Sequence, residues 1–75
     1  MVISLKDLKL NESAVIKSIG SSGPIRRRLM DMGVTPGAKV ILKKVAPLGD
    51  PIEINIRGYE LSLRKSEADQ IMVEK

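Results

Sequence analysis

Ile52-Glu53-Ile54-Asn55-Ile56-Arg57 alternates without a break between apolar and polar residues, and Gly58 follows at once. Successive side chains on a strand point to opposite faces, so this segment fits a sheet with one covered face and one wet face. Gly58 permits a tight reversal. After it, Leu61 and Leu63 alternate with Glu60, Ser62 and Arg64, the pattern of a hairpin partner. A lone hairpin is at best marginally stable in water, so the chain must supply further strands. The 75 residues include no Phe and no Trp, which leaves Ile, Leu, Val and Met to build the core. A domain of this size buries only about 60% of its unfolded surface.

The other strands follow from composition and punctuation. Ala14 to Ile19 is rich in β-branched residues and reads as the first strand. Ala38 to Ala46 reads as the second, with Val40, Leu42 and Val45 inward and Lys39 and Ile41 outward. Lys43 and Lys44 together break that alternation, which predicts a β-bulge. Pro47-Leu48-Gly49-Asp50-Pro51 is a stiff turn, and Ile71 to Val73 is a short last strand. Ser4, Leu5 and Leu8 suggest a helical turn at the start. Ser66, with Asp69 three residues on, suggests a capped turn before the last strand.

Gly20-Ser21-Ser22-Gly23 reads as a flexible loop leading into a helix that starts at Pro24. Ile25, Leu29 and Met32 form one apolar stripe at i, i+4 and i+7. Gly33 closes the helix, Pro36 blocks its continuation, and Pro36-Gly37 predicts a type II turn. The expected architecture is mainly β: a small, partly open five-stranded barrel of SH3-like type. The helix is inserted after the first strand and a short helical turn precedes the last. One domain over residues 1–75 is expected.

Arg26, Arg27 and Arg28 stand in the first turns of that helix, where the positive end of the dipole disfavours cations. Such a local misfit marks a candidate functional surface, here a docking patch for an acidic surface or a phosphate. The competing reading is a solvated basic face, partly neutralised by Asp31 four residues after Arg27. Met30 lies on the arginine side and is a candidate apolar anchor, with core packing as the alternative. Leu29 and Met32 are expected to pack the helix onto the barrel. Leu48, at the tip of the Pro47–Pro51 turn, is a second apolar candidate unless it folds back. Tyr59 is expected beside the hairpin turn with its hydroxyl in solvent.

Several chemistries lose their residues. Cys and His are both absent, which removes the usual ligands for zinc, copper and non-haem iron and the usual nucleophiles and bases. The acidic residues show no calcium-loop spacing, and Asp50 with Glu53 offers at most adventitious cation binding. No Gly-rich loop ends in Lys-Ser or Lys-Thr. The expectation is therefore no enzyme, no cofactor and no dedicated metal site. A net charge of +4 favours anionic partners. A stand-alone nucleic-acid module is the alternative, with Arg26, Arg27, Arg28, Lys43 and Lys44 on phosphates. Against it, Tyr59 is the only aromatic residue, whereas single-strand binders stack bases on several. No apolar run exceeds three residues, so no membrane insertion and no secretory signal are expected, and a cytoplasmic location follows by default.

The run from Arg26 through Gly37, then Val45-Ala46-Pro47-Leu48-Gly49-Asp50-Pro51-Ile52, Arg57-Gly58-Tyr59 and Leu61 through Ala68 resembles the ferrous iron transport protein A (FeoA) family over essentially the whole chain. The resemblance implies an SH3-like barrel in the bacterial cytoplasm, beside the inner membrane through its partner. It also implies a supporting or regulatory contact with FeoB, the membrane protein that conducts Fe²⁺, at its GTP-binding domain or cytoplasmic face. On this reading Arg26, Arg27, Arg28, Met30 and Leu48 form the contact. Weak self-association through open strand edges is a further expectation. The same domain type ends iron-dependent repressors, whose DNA-binding and metal-binding parts have no counterpart in these residues. Transition-metal binding is sometimes attached to the family, and this composition gives it little support.

Overall fold

A computed structural model describes residues 1–20 and 23–75; the loop reading at Ser21 and Ser22 lies outside the described residues. The described residues form one antiparallel sheet of six strands: β1 (Val2–Ser4), β2 (Ser13–Ile19), β3 (Lys39–Val45), β4 (Ile52–Ile56), β5 (Tyr59–Leu63) and β6 (Ile71–Glu74). Their spatial order is β1-β6-β2-β3-β4-β5. Helix α1 (Pro24–Asp31) follows β2, and helix α2 (Lys65–Asp69) precedes β6. The mainly β architecture and both helix positions match expectation. The sixth strand does not. Sequence pattern gave only a helical turn at the N-terminal end, and Leu5–Asp7 does form a 3₁₀ turn with Ser4 Oγ accepting from the Lys6 N–H at 3.3 Å. The three residues of β1 are too few to alternate visibly; they are a strand because β6 offers them an edge.

Two irregularities curve the sheet. Register shifts between Ile16 and Ser18 where β2 meets β6, and between Leu42 and Lys44 where β3 meets β4. The second is the bulge that the Lys43-Lys44 pair predicts. Bulges add local twist, which lets a short sheet wrap its own core. Val40, Leu42, Ile54 and Ile56 line the inner face, with Ile16, Leu63, Ile71 and Val73 closing it. Each such aliphatic side chain contributes roughly 1.5–3 kcal/mol when buried. Methionine takes no part in the interior: among the described residues Met32 only packs against the core's edge, and Met30 is 37% exposed. Val45 also departs from expectation and is half-exposed. The β2–β3 ladder ends at the Ser13–Ile41 pair, so Val45 overhangs it with a strand on one side alone.

The β4–β5 hairpin closes on the Ile56–Tyr59 pair with a two-residue loop. Arg57 has φ 51° and Gly58 φ 84°, the double positive φ of a type I′ turn. Nothing lies within 4 Å of a Cβ added at Gly58, so a side chain there is opposed by the backbone conformation and not by a clash. Gly58→Val should therefore destabilise the domain by more than about 1 kcal/mol. An unchanged urea midpoint would show that the turn tolerates a β-branched residue and that this assignment is wrong.

Candidate partner-docking surface on helix α1

Of the eight residues of α1, Leu29 alone is buried. The helix starts with Pro24 after Gly23, which offers no side-chain cap. It ends in a Schellman motif: the Gly33 N–H donates to the Met30 carbonyl and the Val34 N–H to the Leu29 carbonyl, each at 3.0 Å. Leu29 and Val34, at the two ends of the longer bond, are both fully buried. The helix is thus fastened to the core at its C-terminal end. Ile25, assigned by its spacing to the buried stripe, is 47% exposed. It sits a turn nearer the N-terminus and lines a cleft between α1 and the start of α2 instead of covering the sheet.

Two side-chain ties complete the attachment. The β4–β5 hairpin reaches over the C-terminal end of α1. Arg57 donates from Nε to the Gly33 carbonyl at 3.1 Å and from its guanidinium to Thr35 Oγ1 at 2.5 Å. The Tyr59 hydroxyl lies over Gly33, where an added Cβ would meet it at 2.5 Å. That hydroxyl therefore packs beside the helix terminus at Gly33, while Tyr59 as a whole stays 42% exposed. The second tie is Arg28, which pairs through its guanidinium with Glu67 Oε2. Glu67 is 9% exposed, and its Oε1 accepts from the Arg64 N–H at 2.9 Å. Glu67 is thus the third-position carboxylate that caps α2. The expected cap by Ser66 and Asp69 does not form, because β5 ends at Leu63 and the helix begins at Lys65. Asp69 pairs instead with Lys6 at 2.9 Å.

The three arginines are consequently not equivalent. Arg28 is held, while Arg26 and Arg27 are exposed and join none of the ion pairs among the described residues; the Arg27–Asp31 pairing does not occur. Met30 shares an open groove with Arg26, Arg27 and Asp31. Leu48 does not fold back: it is 96% exposed, on a loop closed by the Gly49 N–H to the Ala46 carbonyl at 2.7 Å. The same loop is fixed by Asp50 Oδ1, which accepts from the Lys65 N–H at 2.9 Å. Arg28 and Asp50 therefore tie α1 and the Leu48 loop to the same first turn of α2. Glu67, Arg57 and the Tyr59 hydroxyl went unread in the sequence as fasteners. Glu67 had a usable signal, since an acid three residues after the residue that precedes a helix, here Arg64, has capping-box spacing.

The surface has no metal-site character. The chain lacks His and Cys, and the described residues contain no group of three or more His, Cys, Asp or Glu placed to hold an ion. Asp50 is engaged with Lys65. Glu53 pairs with Ser62 across the β4–β5 ladder and lies diagonally from Glu60, the partner of Asn55; a hydrogen bond to Glu60, then desolvation and like charge, push the Glu53 carboxyl upward. The residues present do not fit a transition-metal centre.

Residues 3–75 match the FeoA domain family. The chain belongs to the FeoA family. A relative from Porphyromonas gingivalis, an Fe(2+) transport protein A/Fe(2+) transporter FeoB fusion protein, is 36% identical over 70 residues. That match takes in 93% of this chain and 8% of the relative, so the chain spans less than a tenth of that protein's length. The solution structure of the FeoA protein from Chlorobium tepidum superposes with a TM-score of 0.90 at 43% identity, covering 96% of this chain and 69% of that one. Stenotrophomonas maltophilia FeoA, a prokaryotic SH3 domain protein crystallised with zinc, superposes with a TM-score of 0.85 at 30% identity over 96% and 89% of the two chains. The SH3-like architecture read from the order of elements is thus the fold of this FeoA-family chain.

Both ties can be measured. Gly33→Ala should destabilise by about 1–3 kcal/mol, from positive φ and the contact with Tyr59 together. Adding Tyr59→Phe to Gly33→Ala should restore part of that loss, although Tyr59→Phe alone gains nothing. A strictly additive double-mutant cycle would disprove the contact. Glu67→Ala should cost about 1–2 kcal/mol through the lost cap and pair. Arg26→Gln/Arg27→Gln should stay within about 0.5 kcal/mol of wild type. Thermal melts giving equal losses for these last two variants would refute the distinction between held and free arginines.

Proposed function

We propose that this chain is an accessory protein of ferrous iron uptake that acts by contact with a FeoB-type membrane transporter and not by catalysis. The observation that carries the reading is the Porphyromonas gingivalis relative, in which an Fe(2+) transport protein A is fused to the transporter FeoB. Fusion keeps two modules at high effective concentration, which favours partners that work in contact. A role as a ferrous iron transport activating factor has been suggested for the Stenotrophomonas maltophilia protein. The chain's own surface supports the same reading. Arg26, Arg27 and Arg28 supply charge, and Met30 and Leu48 supply exposed apolar contact. Residues 1–75 would act as one docking domain on the transporter's cytoplasmic side. None of the described helices is long and apolar enough to cross a membrane.

Arg26→Gln/Arg27→Gln should weaken binding to the purified transporter about tenfold, and Met30→Asp should abolish it by placing a charge where apolar surface must be desolvated. Iron uptake in cells lacking the native protein should fall in step. Wild-type uptake by both variants at equal abundance would show that the arginines are only a solvated face.

The protein is not expected to carry iron. Without His or Cys, its oxygen ligands should hold Fe²⁺ or Zn²⁺ no more tightly than about millimolar. Anaerobic calorimetry is the check, and a stoichiometric micromolar site would overturn this.

A further inference from the structure

The first turn of α2 meets α1 across an open cleft of about 320 Å³, lined by Pro24, Ile25, Arg28, Arg64, Ser66 and Glu67. Arg64, Lys65 and Ser66 are all exposed. Of the two carboxylates beside them, Glu67 is neutralised by Arg28, while Asp50 binds a main-chain N–H and keeps its charge. Glu67 takes the Arg64 N–H and the Arg28 guanidinium, and Asp50 takes the Lys65 N–H. Both backbone bonds leave the Arg64 and Lys65 side chains unused by these carboxylates. The Lys65 bond also fixes the loop that carries Leu48 beside this turn.

We propose that Arg64 and Lys65 continue the α1 surface across the cleft, making one basic face that takes an acidic segment of a protein partner, with an apolar residue of that segment seated against Ile25. The occupant is set by charge complementarity. Arg26, Arg27, Arg64 and Lys65 are exposed cations, and the exposed acids beside them are Asp31 in the α1 groove and Asp50 at the Lys65 N–H, which leaves the face net positive. Ile25, 47% exposed at the wall of the cleft, supplies the apolar contact that a purely electrostatic site lacks. Leu48, 96% exposed, stands two residues before Asp50, whose carboxylate binds the Lys65 N–H. Charge of this kind sets orientation and encounter rate, while a buried apolar residue sets how long the complex lasts.

The inference rests on the docking reading of α1 and adds α2 to it, so the experiment separates the two. The full chain is titrated into the detergent-solubilised FeoB of the same organism, and each variant is first checked for an unchanged melting temperature. Arg64→Gln/Lys65→Gln should weaken binding about tenfold, and Ile25→Asp at least as much. The Lys65 main-chain bond to Asp50 survives the substitution, so Leu48 stays in place. If Arg26→Gln/Arg27→Gln weakens binding while Arg64→Gln/Lys65→Gln remains within twofold of wild type, the docking face ends at α1 and this inference is wrong while the broader reading stands. If wild type does not bind the transporter, both fall. Vesicles containing phosphatidylglycerol and a random-sequence DNA duplex serve as controls. Binding to either that is stronger than to the transporter, and lost in Arg64→Gln/Lys65→Gln, would assign the face to lipid or nucleic acid and overturn the protein partner.

Discussion

Burying a carboxylate costs several kcal/mol unless its oxygens find donors. Glu67 finds them on two separate segments: the Arg64 N–H, which begins α2, and the Arg28 guanidinium, halfway along α1. The sheet's ladders hold the strands together, and neither helix belongs to a ladder. Leu29 and Val34 dock one end of α1 into the core, but the other end carries exposed Pro24, Ile25 and Arg26. Glu67 is the fastener that fixes α1 against α2. Lys65, one residue after Arg64, holds the Leu48 loop through Asp50 in the same turn. A five-residue helix thereby ties down both α1 and the Leu48 loop.

The arrangement also accounts for the unfavourable placement of three cations in α1. A cation near a helix N-terminus loses a few tenths of a kcal/mol to the dipole, and adjacent like charges add to that. Arg28 recovers its share through Glu67. Arg26 and Arg27 recover nothing within the described chain, and the domain is too small to carry such costs freely. Local rules broken without internal compensation are commonest where a surface serves something outside the molecule.

Much of this was legible in the sequence because it rests on short-range rules. The unbroken alternation from Ile52 to Arg57 gave β4. The adjacent lysines gave the β3 bulge, and Gly33 with Pro36 gave the end of α1. What was missed depends on contacts between distant segments. Three residues of β1 become a strand through β6, which follows nearly seventy residues later. Ile25 has the spacing of a buried residue, but whether a helical turn lies over a sheet or over a cleft depends on where the neighbouring helix sits. The Tyr59 hydroxyl and the Arg57 guanidinium look like turn residues until the fold brings Gly33 beneath them. The position of Arg28 in the helix is visible in the sequence, but its partner Glu67 is 39 residues away, beyond the reach of a spacing rule.

The interior is aliphatic apart from Glu67, and the clefts beside α1 are open. On the docking reading the domain's exposed features divide the work. Arg26 and Arg27, exposed and outside every ion pair among the described residues, would act at a distance, raising the encounter rate with an acidic surface and losing that effect as salt screens them. Met30 and Leu48 act only on contact, through water-exposed apolar area that complex formation would bury. The internal ties then matter for affinity without touching the partner. Each bond that holds α1 and the Leu48 loop in place before docking removes part of the ordering entropy that association would otherwise cost. That is the physical reason for a small protein to spend a buried carboxylate on positioning its surface.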